Sequence, residues 1–155
     1  MANAITARHN WVCSQLAKQA EENGCTVEAE RIIVTKTGER LKPDLVIKQG
    51  TSVCIVDVQI PYEDDKNNIT ASYNYKKAKY SPLIEVLKEK YKTQDVEVAP
   101  VIIGARGTWF AKQDEWLRRW QFKAKFKRKL CVGALKGTIR IWKLFVASLR
   151  LNRQF

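Results

Sequence analysis

What this chain lacks bounds it before any motif is read. No apolar run approaches the roughly twenty residues that a membrane-spanning helix needs, and the first residues, with Arg8 and only short apolar stretches, do not read as a secretory signal. An intracellular protein with no membrane partner is expected. Histidine is nearly absent, and the four cysteines, at 13, 25, 54 and 131, form no CxxC pair. His9 alone leaves little material for a zinc site, so reduced, structural cysteines are expected. Internal repeats and low-complexity segments are missing as well.

The most informative shortage is of acidic residues in the last third. Residues 105–155 hold 14 Lys and Arg against only Asp114 and Glu115, whereas residues 1–104 hold 14 basic and 14 acidic side chains. The whole net charge of +12 therefore comes from the tail. Such a shift marks a boundary near Gly104 to Gly107 and points to a polyanionic partner, nucleic acid first and an anionic membrane surface second. The expected organisation is a core over 1–109 and a basic helical C-terminal extension over 110–155. At 155 residues the chain suits one domain with an appendage.

Periodicity sketches the elements. Ile5, Trp11, Val12, Leu16 and Ala20 recur at helical spacing, and Asn23-Gly24 supplies a stop. Val27 to Val34 is β-branched and ends at the Thr37-Gly38-Glu39 turn, and the strands Leu45 to Ile47 and Val53 to Ile60 follow as an antiparallel series. After a polar and aromatic stretch from Asp65 to Tyr80, Ser81-Pro82 breaks the chain, and Leu83, Val86, Leu87 and Tyr91 carry a helical stripe. Val96 to Ile103 is a buried strand. The order implies an α/β protein with a mixed central sheet flanked by helices. In the tail, Leu135, Ile139, Trp142, Val146 and Leu149 form the expected packing face, and Lys136, Arg140, Lys143 and Arg150 form a basic one.

Two carboxylates stand out. Asp44 lies at the mouth of one apolar strand and Asp57 near the end of the next. Strand alternation puts Val53, Ile55, Asp57 and Gln59 on one face, with Cys54, Val56, Val58 and Ile60 on the other. A carboxylate among apolar neighbours is costly unless something positive meets it, and two that converge make a seat for a hard divalent cation.

Lys42-Pro43-Asp44, a gap of 12 residues, Asp57, and then Tyr75-Lys76-Lys77-Ala78-Lys79-Tyr80 resemble the restriction-like endonuclease of site-specific non-LTR retrotransposons, a branch of the PD-(D/E)XK nuclease superfamily. Val101 to Trp109 also resembles that group, so the likeness runs from about Arg8 to Trp109. It implies a restriction-endonuclease-like fold and a Mg²⁺-dependent (or Mn²⁺-dependent) endodeoxyribonuclease. Asp44, Asp57 and the Val58 carbonyl would hold the metal. The superfamily places a lysine two residues after the second acid; here that residue is Gln59. In the retrotransposon branch the cation comes from the following helix, which implies Lys76 and Lys79 as catalytic groups, on one helical face with Tyr80. Lys77 is the third choice. The resemblance further implies nuclear localisation, nicking of duplex DNA to leave a 3′-hydroxyl that primes reverse transcription, and a polyprotein that includes a reverse transcriptase and handles element RNA.

Expected nucleic-acid contacts are Lys77, Tyr80, Arg106, Lys123, Lys125, Lys127, Arg128 and Lys129. Against these stand plainer readings. Arg106 suits a structural turn equally well, Trp109, Trp116 and Trp120 suit a core, and Glu63-Asp64-Asp65 suits a solvated loop at a helix N-terminus. Glu28 and Glu30 are marginal metal ligands, and Arg8 and His9 marginal phosphate contacts. A non-catalytic nucleic-acid-binding module and a stand-alone resolvase-like nuclease remain the alternative functions.

Overall fold

The structure, a computed structural model, describes residues 1–64 and 66–152, with the side chains of Lys66 and Asn67 also left out. Helix α1 (Ala2–Glu22) ends where Asn23-Gly24 turns the chain, Gly24 adopting φ 89°. Strand β1 (Thr26–Ala29) follows, then a small hairpin of β2 (Ile33–Val34) and β3 (Arg40–Leu41), then β4 (Leu45–Gln49) and β5 (Ser52–Gln59). Helices α2 (Lys66–Tyr80) and α3 (Leu83–Tyr91) lead to β6 (Val96–Ile102). A 3₁₀ turn at Ala111–Gln113, α4 (Asp114–Arg119) and the 29-residue α5 (Ala124–Asn152) complete the described residues.

The main sheet has the order β1-β4-β5-β6, antiparallel except for the parallel β5/β6 pair. It is therefore a mixed sheet, and helices cover both faces. Cys54, Val56 and Val58 of β5 pack with Val12, Leu16 and Ala20 of α1 and with Trp116, Phe126 and Leu130. Val53 and Ile55 point the other way, to Tyr80, Leu83 and Leu87. The alternation expected along β5 is the one that forms. Trp116 and Trp120 are core residues, their indole N–H groups donating to Cys54 Sγ at 2.9 Å and to Glu97 Oε1 at 2.8 Å. All four cysteines are free thiols.

Two expectations fail. The strand expected over Val27 to Val34 breaks at Glu30, which takes φ 50° while its N–H donates to the Asp44 carbonyl at 2.9 Å. The break brings Glu30 beside the start of β4. The second concerns α5. Its packing face is Phe126, Leu130 and Ala134, whereas Leu135, Ile139, Trp142 and Leu149 are exposed, Trp142 at 62%. Glycine decides between the two stripes. A Cβ at Gly133 would sit 2.1 Å from Trp11, and one at Gly137 would sit 2.6 Å from Arg8, so only this face lets α5 approach α1. Residues from Trp116 to Ala134 thus share the core with the sheet.

Replacing Leu130 by Ala should cost about 2–5 kcal/mol, the range for emptying a fully buried leucine site. Trp142→Ala should change stability by less than about 0.5 kcal/mol. Urea unfolding checks both, and the reverse order would show that the outward stripe is the packed one.

Candidate functional site

Asp57 is 3% exposed and sits near the end of β5, opposite Pro100 in the β5/β6 register. Its Oδ2 lies 2.6 Å from the Lys76 ammonium of α2, and its Oδ1 accepts the Asp44 N–H at 3.3 Å. Burial pushes the Asp57 carboxyl above its ordinary value, and the charge on Asp44 adds to this against the pull of Lys76. Asp44 Oδ2 accepts the Val58 N–H at 2.7 Å and meets His9 Nε2 at 3.1 Å. Burial again opposes its charge, but His9 and the Val58 amide outweigh burial and hold Asp44 below its ordinary value. Two carboxylates, one in the bend just before β4 and one on the neighbouring β5, the latter pushed up by burial and by the other's charge, are a hard-oxygen set whose electrostatics a divalent cation would relieve. The donors fit such an ion.

Around this centre the expected residues part company. Lys76 reaches Asp57, whereas Lys79 is exposed with its ammonium 5.2 Å from the Tyr80 ring, and Lys77 is exposed at 5.6 Å from the Tyr73 ring. Tyr80, expected to face nucleic acid, is 2% exposed. Its hydroxyl donates to the Lys42 carbonyl at 3.4 Å, and burial, together with the Asp57 charge, raises its pKa. It braces the site from inside. Arg106 is tied to Glu63, donating from its backbone N–H to Oε2 at 2.9 Å and from its guanidinium to the Glu63 carbonyl. Glu63 is accordingly not the solvated residue expected; its side chain is 9% exposed, and a Cβ at Gly104 would fall 1.8 Å from its Oε1. Asp65 lies outside the described residues.

The tail cations lie elsewhere. Lys123, Lys125, Arg128 and Lys129 line a groove of about 670 Å³ with Gln19 and Asn23 of α1. Since His9 precedes Gln19 by 10 residues on α1, the groove begins about 15 Å along α1 from His9. Lys127 turns to Asp114 at 2.8 Å. Nearer the site, Arg8, Lys136 and Arg140 line a groove of about 590 Å³ with Trp11, and Arg8 also borders a smaller cavity with His9, Val58 and Gln59. Sequence reasoning underrated Arg8 and His9. Their signal was i, i+4 spacing with Val12 and Cys13 on a helix whose apolar face must meet the sheet. Among the described residues, Gln59 Oε1 is buried without a hydrogen-bond partner, two positions beyond Asp57.

With this geometry in view, the chain can be set beside known proteins. Its class is a mixed α/β domain with paired carboxylates and a helix-borne lysine at a sheet end. No protein-family model matches it. It is similar to a segment of the retrovirus-related Pol polyprotein from type-1 retrotransposable element R2 of Popillia japonica, 36% identical over 143 residues, covering 91% of this chain and 29% of that protein. The corresponding protein of Bradysia coprophila is 28% identical over 145 residues, 91% of this chain and 16% of its own length. The Pol polyprotein from type-2 retrotransposable element R2DM of Drosophila melanogaster is 26% identical over 144 residues, 90% and 13%. The chain thus spans less than a third of the relatives it matches. These likenesses support a retrotransposon-related domain whose relatives are parts of larger Pol polyproteins.

The Glu63 clasp carries an acid dependence. Burial would raise its pKa, but the Thr108 side chain and the backbone amides of Arg106 and Thr108 hold it below its ordinary value. Its stabilisation is therefore complete above the unfolded carboxyl value of about 4.3 and is lost as pH falls through the lower folded value. Glu63→Gln should be less stable than the parent at pH 7, with the gap closing under acid. Urea midpoints across that range measure it, and a constant gap would dismiss the clasp.

Proposed function

We propose that the chain is a Mg²⁺- or Mn²⁺-dependent DNA endonuclease domain of a retroelement, with a restriction-endonuclease-like core and a basic C-terminal extension, that nicks duplex DNA and leaves a 3′-hydroxyl for reverse transcription. The observation that carries this reading is the buried Asp57 carboxylate with Lys76 Nζ at 2.6 Å and the Asp44 amide at 3.3 Å. A polar cluster of that kind is costly for stability and is characteristic of active sites. Its proposed setting is a larger polyprotein acting in the nucleus, beside a reverse transcriptase and element RNA.

Asp44, Asp57 and the Val58 carbonyl would hold the cation, which when bound supplies Lewis-acid stabilisation of charge on the phosphoryl oxygens. The remaining work falls to the protein's own side chains. Lys76 brings a compact ammonium to the face where Gln59 has replaced the usual lysine, and there it shields phosphoryl charge or orients the attacking water. Tyr80, one helical turn further along α2, is buried with its hydroxyl on the Lys42 carbonyl. Arg8, Lys136 and Arg140 grip backbone phosphates beside the carboxylates, and the Lys123–Lys129 cluster grips the duplex farther off.

Nicking of supercoiled plasmid tests the assignment. Asp44→Asn and Asp57→Asn should abolish cleavage while duplex binding survives, and cleavage by both variants would overturn it. Lys76→Ala should slow cleavage by a factor on the order of 10². Lys79→Ala should leave the rate nearly intact and reduce the salt dependence of binding by about one phosphate contact. Equal losses in the two lysine variants would show that Lys79 also reaches the reacting phosphate.

A further inference from the structure

The α1 side of Asp44 holds a second cluster. His9 and Cys13 stand one helical turn apart, and with Asp44 they bring an imidazole nitrogen, a thiol sulfur and a carboxylate oxygen within 4.8 Å of one another. His9 Nε2 is 3.1 Å from Asp44 Oδ2 and 3.8 Å from Cys13 Sγ. Bonds of about 2.0–2.3 Å at a tetrahedral angle place such donors about 3.3–3.6 Å apart, so side-chain adjustments of about 1 Å would close the set around an ion.

Three other features belong to the same arrangement. The second ring nitrogen, His9 Nδ1, lies 3.2 Å from Asn10 Oδ1, the outer hydrogen bond by which ligating histidines are oriented. Asp44 Oδ2 is itself steadied by the Val58 N–H at 2.7 Å. The three donors line a cavity of about 220 Å³ that Ser14 and Glu30 also border, and Glu30 is there because of its φ of 50°. A water can complete four-coordination.

We infer that His9, Cys13 and Asp44 form a binding site for a borderline-soft divalent cation of the Zn²⁺ class, separate from the hard-oxygen site between Asp44 and Asp57 and sharing only Asp44 with it. Thiolate and imidazole donors select against Mg²⁺ and favour Zn²⁺ or Co²⁺. The inference does not need the nuclease reading.

Cobalt serves as the spectroscopic probe. Titrating the full chain with Co²⁺ under reducing conditions should give a thiolate-to-cobalt charge-transfer band that saturates at one equivalent and disappears when Zn²⁺ is added. Cys13→Ser should abolish the band, and His9→Ala should weaken Co²⁺ binding by at least about 10-fold. Asp57→Asn and Cys131→Ser should retain it. Plasmid nicking with Mg²⁺ is read separately, so failure of either idea leaves the other standing. Should Cys13→Ser fold poorly, Zn²⁺ protection of Cys13 from alkylation, read by peptide mass spectrometry on the unsubstituted chain, decides the matter. No charge-transfer band, a band that survives Cys13→Ser, or Cys13 alkylated at the same rate with and without Zn²⁺ would each overturn the inference.

Discussion

A carboxylate buried near the end of a central strand is the constraint around which this molecule is arranged. Asp57 occupies an inward position of β5 that Val53 and Ile55 fill with apolar side chains lower on the same face. Left unpaired there, its charge would cost several kcal/mol. The Lys76 ammonium offsets that cost, which fixes the rotation of α2, and the rotation of α2 in turn buries Tyr80 with its hydroxyl on the Lys42 carbonyl. The Pro43-Asp44 corner is thereby held over the end of β5, where the Val58 and Asp44 amides cross-link the two carboxylates. Fold and candidate chemistry meet in these few contacts.

Helix α1 closes the other side. Its apolar residues Val12, Leu16 and Ala20 bind it to the sheet, and the same helical turn that buries Val12 directs His9 and Cys13 at Asp44. His9 is raised to about 11, chiefly by its hydrogen bonds to Asp44 and Cys13. Asp44 therefore stands between two differently built environments: carboxylate and ammonium on the α2 side, imidazole and thiol on the α1 side. The two sides thus present different donor sets, hard carboxylate oxygens on one and an imidazole with a thiol on the other.

Helix α5 binds α1 along glycines and leaves a cationic and partly apolar face outward. Arg8 joins the two helices, its guanidinium donating to Thr138 Oγ1 at 2.7 Å. The positive charge is in consequence divided between a groove at the N-terminal half of α1, lined by Arg8, Lys136 and Arg140, and a second groove at its C-terminal end, lined by Lys123, Lys125, Arg128 and Lys129.

Much of this was legible in the linear chain, for definite reasons. Alternation along Val53 to Gln59 assigned the faces of β5 because a strand's side chains can point only two ways, and the spacing of Asp44 and Asp57 placed both acids at one end of a hairpin. The resemblance implied a cation from the following helix, and in the structure Lys76 of α2 lies 2.6 Å from Asp57 Oδ2. Choosing among Lys76, Lys77 and Lys79 needed the helix seated on the sheet. The α5 face was ambiguous, since Phe126/Leu130/Ala134 and Leu135/Ile139/Trp142 share one period and only the close approach at Gly133 and Gly137 separates them. His9 and Cys13 lie 35 and 31 residues before Asp44, and a single histidine without a partnering motif carries no local signal. Local pattern thus determined the elements, the sheet faces and the paired acids, because these depend on neighbours along the chain. The tertiary structure alone decided which lysine, which helix face and which distant imidazole and thiol meet Asp44 and Asp57, because those depend on how the elements pack.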